Sequence, residues 1–207
     1  QKKGMLPHEA TVALMGQYGF QCAESFAVET VREAKAAVLK LGYPVILKGM
    51  VPNVAHRSEA GLVSRKITND AELEREFAAL AGKADAQTVE KFIDHDLEVI
   101  LGVKYDPTFG PVILCGLGGI FTEVLQDFAL RLAPLSKTDV SDMLSSLRAF
   151  PILKKTPASI ELLSDALLRL SDLAMELNGK VQAVDINPIA LGVELADAIV
   201  LDAKVHV

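Results

Sequence analysis

No tryptophan occurs in the chain's 207 residues, and there are only two cysteines and four histidines. Cys22 and Cys115 each lie inside an apolar stretch. They are too few for a disulfide framework and read as two buried thiols in a reducing compartment. His8, His56, His95 and His206 are scattered and form no Cys/His cluster of zinc spacing, so a zinc enzyme is not expected. An excess of basic charge is missing as well: 21 Lys+Arg against 27 Asp+Glu leave a net charge of −6. That argues against a nucleic-acid binder, because phosphate contacts need a basic face. No stretch reaches the roughly 18 uninterrupted apolar residues of a membrane span. The opening Gln1-Lys2-Lys3-Gly4 is not followed by a hydrophobic signal core. The expectation is a cytoplasmic protein with neither a membrane nor a nucleic-acid partner. Position 1 is not Met and a short polar leader opens the chain, so a piece excised from a longer chain is expected, although a processed tag would look the same.

What is present is a globular composition, with half the residues apolar and 23% charged. Helical and strand signals alternate from end to end, which predicts an α/β (α+β) domain rather than a bundle or a sandwich. Leu6 to Tyr18 has helical spacing and stops at Gly19. Thr30-Val31-Arg32-Glu33 is a capping box opening a helix through Ala34, Ala37, Val38 and Leu41, which halts at Gly42. Pro44 to Lys48 and Val63 to Ile67 read as strands, and Asn69 or Asp70 caps a helix over Ala71 to Leu80. Further strands are expected over Thr88–Ile93, Leu97–Val103 and Gly110–Cys115, and helices over Thr138–Phe150 and Ser159–Leu177. Val181–Asp185 and Ala198–Asp202 read as strands that each end on a carboxylate. The coarse division is a single domain over 1–207, with a small lobe at 23–88 set within a larger one at 1–22 and 89–207.

Several residues could carry chemistry. Lys48 ends an apolar strand, where it must either snorkel to water or meet an anion. The loop His56-Arg57-Ser58-Glu59-Ala60-Gly61 reads either as a solvated hairpin or as a cradle offering cations and backbone N–H groups to phosphates. Asp185 and Asn187 share a face by period-two alternation, and with Asp202 they form a hard-oxygen set suited to Mg²⁺. The duller reading is a turn and a surface acid. Glu90 and Glu98 are expected in one hairpin, either accepting ligand hydroxyls or simply exposed. Gly116-Leu117-Gly118-Gly119 marks close backbone approach. Glu123, Asp127 and Arg131 are spaced by four, as on one helix face.

In this order the motifs resemble the ATP-grasp, nucleotide-binding part of the NDP-forming acyl-CoA synthetases. That is the ADP-forming acetyl-CoA synthetase family, related to succinyl-CoA synthetase beta subunits. The resemblance runs through Pro7-His8-Glu9-Ala10, Gly42-Tyr43-Pro44-Val45-Ile46-Leu47-Lys48, His56-Arg57-Ser58 and Glu98-Val99-Ile100-Leu101-Gly102. It continues in Asp106-Pro107-Thr108-Phe109-Gly110-Pro111, Gly116-Leu117-Gly118-Gly119-Ile120 and Asp185-Ile186-Asn187-Pro188.

The resemblance implies an ADP-forming acid–CoA ligase, in which ATP, a carboxylic acid and CoA give ADP, phosphate and acyl-CoA through a phosphohistidine relay. It implies that Lys48, with Arg57, Ser58 and Gly61 of the loop, contacts nucleotide phosphates. Glu90, Lys91 and Phe92 would line the adenine hinge, and Glu98 would take the ribose hydroxyls. Asp185, Asn187 and Asp202 would hold Mg²⁺ on ATP or ADP. His56 would accept the phosphoryl group, and Glu123 would orient the phosphohistidine. The implied partner is a set of CoA-binding and ligase domains carrying the first phosphohistidine, in the same parent chain or as an alpha subunit, with CoA bound there.

Two departures stand out. Leu62 follows Gly61 where the family has a second glycine, and Phe150 to Thr156 lacks the family's arginine, leaving Lys154 or Lys155 as point charges. They leave a second reading, a regulatory ATP-grasp-like module of a synthetase-like protein lysine acetyltransferase. A self-contained carboxylate–amine ligase would need an acyl-substrate lobe for which 207 residues leave little space.

Overall fold

A computed structural model describes residues 4–51, 60–84, 86–118, 127–155, 157–192 and 196–207. The elements run α1 (His8–Gln17), β1 (Gln21–Cys22), β2 (Ser25–Val28), α2 (Val31–Leu41), β3 (Val45–Met50), α3 (Asp70–Ala81), β4 (Ala86–Lys91) and β5 (Leu97–Asp106). They continue as β6 (Gly110–Leu117), β7 (Phe128–Leu132), α4 (Lys137–Ser145), α5 (Phe150–Leu153), α6 (Pro157–Glu176), β8 (Ala183–Leu191), β9 (Ile199–Val200) and β10 (Ala203–His206). The chain divides into two compact units, one of residues 23–93 and the other of 1–22 with 94–207. The smaller unit closes at Ile93 rather than at 88, because β4 is the central strand of its sheet. Among the described residues no helix is long and apolar enough to cross a membrane.

In the smaller unit, β2, β4 and β3 form an antiparallel sheet in that order. Local chemistry sets its helices. The Thr30 side chain accepts the Glu33 N–H at the start of α2, Glu33 takes the Glu29 N–H, and Gly42 ends the helix at φ 68°. Asn69 caps α3 in the same way. Ala34, Ala37, Val38 and Leu41 of α2 and Leu73, Phe77 and Leu80 of α3 pack on Val45, Leu47 and Val89 of the sheet. The strand expected over Val63–Ile67 does not form. Only isolated bridges occur, Val63 to Lys48 and Ile67 to Val45. The Ser64 hydroxyl accepts the Leu47 N–H at 2.8 Å and donates to the Arg65 carbonyl, so a side chain stands where a ladder bond would be.

In the larger unit the sheet order is β1-β9-β8-β5-β6-β7, with β10 also pairing β8. β1 and β9 pair in parallel, and the other pairings are antiparallel. Helix α6 presents Leu163, Leu167, Leu170 and Ala174, spaced by three and four, to Val99, Leu101, Ile113, Val184 and Ile186 of the sheet. Cys115 is fully buried there, and desolvation pushes its thiol up to about 12.

Two expectations are corrected here. Glu90 and Glu98 do not share a hairpin, since β4 belongs to the three-stranded sheet and β5 to the other. Asp127 and Arg131 do not lie on a helix, because Phe128, Leu130 and Leu132 alternate with buried Ala129 on strand β7. The helix expected over Thr138–Phe150 is broken after Ser145. There Asp127 reaches over and accepts the N–H groups of Arg148 and Ala149, both at 2.8 Å.

Candidate functional site

Alternation along β3 and β4 turns Leu47 and Val89 to the helices, and Lys48, Thr88 and Glu90 to the opposite face. There Lys48 is 7% exposed and Glu90 4%. The Lys48 ammonium lies 2.5 Å from Glu90 Oε2, while the Thr88 hydroxyl donates to Glu90 Oε1 at 3.2 Å. Lys48 pairs with Thr88 in register and Glu90 with Ile46, so the salt bridge is a diagonal one. A buried ammonium is tolerable with such a counter-charge, and an anion able to compete for it would find it already desolvated. Lys48 lies on the expected strand but two residues before its end at Met50 rather than at it, and the carboxylate at its head depends on the long-range β3–β4 register. Thr88, two positions before Glu90, is the residue sequence reasoning missed, though alternation alone puts both on one face.

Lys91 turns away from this face, its ammonium 3.1 Å from the Gly42 carbonyl at the end of α2. The Phe92 ring lies under the Lys66 ammonium, 4.4 Å from the centroid. The Phe92 N–H donates to the Pro44 carbonyl and that of Lys91 to the Glu24 carbonyl. His56, Arg57, Ser58 and Glu123 lie outside the described residues. Gly61 is described, in a turn at φ 64°. The Leu62 side chain is buried (3% exposed), with its methyl 3.2 Å from where a side chain on Gly49 would begin. Leu62 thus fills space over Gly49. In the segment without the family's arginine, Lys154 stacks on Phe150 at 4.9 Å.

On the larger sheet the strand expected to end at Asp185 runs on to Leu191, which places Asp185 and Asn187 inside β8. Val184 and Ile186 are buried in the core, while Asp185 and Asn187 are half-buried on the other face. Asp202 joins them through the backbone: the Asn187 N–H donates to the Asp202 carbonyl at 2.9 Å. Lys204 stands opposite Asp185 in the β8–β10 register. No group of three or more His, Cys, Asp or Glu able to hold a metal occurs among the described residues. The set is two carboxylates and an amide. Those hard oxygens fit a Mg²⁺ that takes its remaining ligands from phosphates and water. Glu98 is the second residue of β5, and its Oε1 lies 3.1 Å from His95 Nε2.

A sequence model described as an ATP-grasp domain matches residues 1–207. The beta subunit of ADP-forming acetate–CoA ligase II from Pyrococcus furiosus is 33% identical over 217 residues, covering 99% of this chain and 92% of the relative. ADP-forming acetate–CoA ligase I of Archaeoglobus fulgidus is 33% identical over 185 residues, which are 83% of this chain but 27% of that longer protein. Among solved structures, acetyl-coenzyme A synthetase 1 of Ca. Korarchaeum cryptofilum matches with a TM-score of 0.82 and 28% identity, over 97% of this chain and 92% of that one. That structure holds coenzyme A and Mg-AMPPCP and has its phosphohistidine segment pointing towards the nucleotide binding site.

Proposed function

The chain belongs to the ATP-grasp domain family, among the ADP-forming acyl-CoA ligases, and from that premise we propose that it supplies the nucleotide-handling half of such a ligase. In that reaction ATP, a carboxylic acid and CoA become ADP, phosphate and acyl-CoA. The observation that carries the reading within this molecule is the buried Lys48 on the face of the three-stranded sheet opposite α2 and α3, desolvated and held by Glu90. Lys48 offers a nucleotide phosphate an ammonium that is already desolvated and kept in place by Glu90. Arg57, Ser58 and Gly61 add donors to the phosphates, and Phe92 lines the adenine. Lys91 shapes that hinge by holding the end of α2. Glu98 accepts from the ribose hydroxyls.

Asp185, Asn187 and Asp202 hold Mg²⁺, which when bound neutralises charge on the phosphates. In the reverse, ATP-forming direction of that reaction, His56 takes the phosphoryl group through a neutral ring nitrogen: the P–N bond to the partner's histidine breaks as the bond to His56 forms. The P–N bond to His56 then breaks as a terminal oxygen of ADP bonds to phosphorus. Glu123 accepts the imidazole's other N–H and orients it. The relatives occur as a beta subunit and as part of a longer chain, so the CoA-binding and ligase modules are proposed to lie in the same parent chain or in an alpha subunit.

Calorimetric titration with Mg·ADP and Mg·ATP tests this. Wild type binds both, and Lys48→Ala and Asn187→Ala each weaken binding by about tenfold or more, as expected for hydrogen bonds to charged groups. Thermal melts run in parallel separate lost binding from lost folding. Absence of binding at millimolar nucleotide overturns the reading. The regulatory alternative is not favoured, because the relatives are ligases. It predicts that label from [γ-³²P]ATP never reaches the protein, whereas the ligase reading predicts labelling that His56→Ala abolishes while nucleotide binding persists.

A further inference from the structure

Residues 95–98 are held by close packing and a hydrogen bond at Gly118 on one side and by a backbone hydrogen bond to Leu191 on the other. A methyl built on Gly118 would stand 3.0 Å from the carbonyl carbon and oxygen of Glu98 and 3.1 Å from its Cβ, so no larger residue fits there without displacing β5. The Gly118 N–H donates to that same Glu98 carbonyl at 2.8 Å. On the other side, a methyl on Gly192 would meet Asp96 Oδ2 at 3.4 Å and His95 Cα at 3.5 Å, and the Asp96 N–H donates to the Leu191 carbonyl at 2.9 Å. The backbone carrying Glu98 is therefore fixed on both sides. Its side chain remains a carboxylate on a flexible tether, and it is still 35% exposed. His95, 21% exposed, supplies the missing restraint, with Nε2 3.1 Å from Oε1. That contact engages one carboxylate oxygen and fixes the direction of the other.

We propose that His95 is a positioning residue that holds the Glu98 carboxylate ready for the vicinal diol of a nucleotide ribose, and so sets the preference for ribose over deoxygenated sugars. The proposal rests on the nucleotide reading above. A carboxylate already oriented before the ligand arrives loses less freedom on binding, so the energy of its hydrogen bonds goes into affinity. The effect of His95 is then confined to ligands that carry the hydroxyls.

The test is calorimetric titration of wild type, His95→Ala and His95→Gln with Mg·ADP and with Mg·2′,3′-dideoxyADP. Wild type binds ADP about tenfold or more tightly than the dideoxy analogue, as expected where ligand hydroxyls meet a charged acceptor. In His95→Ala that preference shrinks about five- to tenfold through weaker ADP binding, with the dideoxy affinity unchanged within about twofold. His95→Gln keeps an N–H donor and restores most of the preference. Equal weakening of both ligands by His95→Ala shows a merely structural role and overturns the proposal, as does an unchanged preference. Wild type binding both ligands equally removes the ribose role of Glu98 while leaving the nucleotide reading standing. Wild type binding neither removes the nucleotide reading, and this proposal with it.

Discussion

The two sheets each turn one face to helices, and on the other face they treat charge in opposite ways. On the three-stranded sheet Lys48, Thr88 and Glu90 are almost wholly buried, and the Glu90 carboxylate holds both the Lys48 ammonium and the Thr88 hydroxyl. On the larger sheet Asp185 and Asn187 stand half-buried in β8, with Lys204 in register opposite Asp185 and the Asp202 backbone bonded to Asn187. Alternation alone produces both faces. Burial sets the cost of disturbing each: a desolvated pair is costly to break, while half-buried polar groups keep some contact with water.

Breaking the buried pair should have the largest effect. Lys48→Met strands the Glu90 carboxylate and should cost about 3 kcal/mol or more in urea unfolding, because one partner of a buried ion pair is left uncompensated. Adding Glu90→Leu should recover most of that loss, and a double variant no more stable than the single one would show that the pair is not energetically closed. Next comes Asp127, a carboxylate of the larger unit that backbone N–H groups satisfy rather than a cation. Asp127→Ala should cost about 2 kcal/mol by the same measurement, with Asp127→Asn losing less.

Asn187→Ala sharpens the contrast from the solvated side. It should leave the melting temperature within about 2 °C while weakening Mg·ADP about tenfold, and it should barely change binding of ADP in EDTA, since a surface polar substitution costs little stability.

The smallest effect is expected at the start of α4. Hydrogen bonds from Ser136 hold the Asp139 carboxyl below its ordinary range. A carboxyl lowered in the folded state adds stability above its unfolded pKa and loses it as the pH falls through the folded value. Melting temperatures of wild type and Ser136→Ala, measured from pH 7 down to pH 2, should therefore differ most at neutral pH and draw closer in acid, keeping the part due to the Ser136 hydroxyl's acceptance of the Asp139 N–H.

Local signals were legible where the determinant is local. Thr30, Glu33 and Gly42 bound α2 through contacts within one turn, and period-two alternation put Asp185 and Asn187 on one face. Signals that depend on distant register were not. Spacing by four suggested a helix through Asp127 and Arg131, while the pairing of Gly116 through Val112 with Phe128 through Leu132 made a strand. The Val63–Ile67 pattern is strand-like, and only the position of Ser64 beside Leu47 shows why its ladder is interrupted. Lys48 could be picked out as a cation in need of an anion, but Glu90 could not be named its partner without the β3–β4 register. His95 and Glu98 are three residues apart, yet the backbone between them is held by hydrogen bonds to Gly118 and Leu191, which the spacing does not show.

The backbone bonds near the two ends carry a topological consequence. Gly4 and Val207 exchange N–H to carbonyl bonds at 3.1 and 2.9 Å, and Leu6 donates to Val205. These bonds add residues 4–6 beside β10, which itself pairs with β8, so the first described residues and the last strand form one unit with the sheet. β10 cannot leave β8 without also breaking its bonds to residues 4–6, and the amides of Leu6 and Val207 should therefore lose protection from hydrogen exchange together.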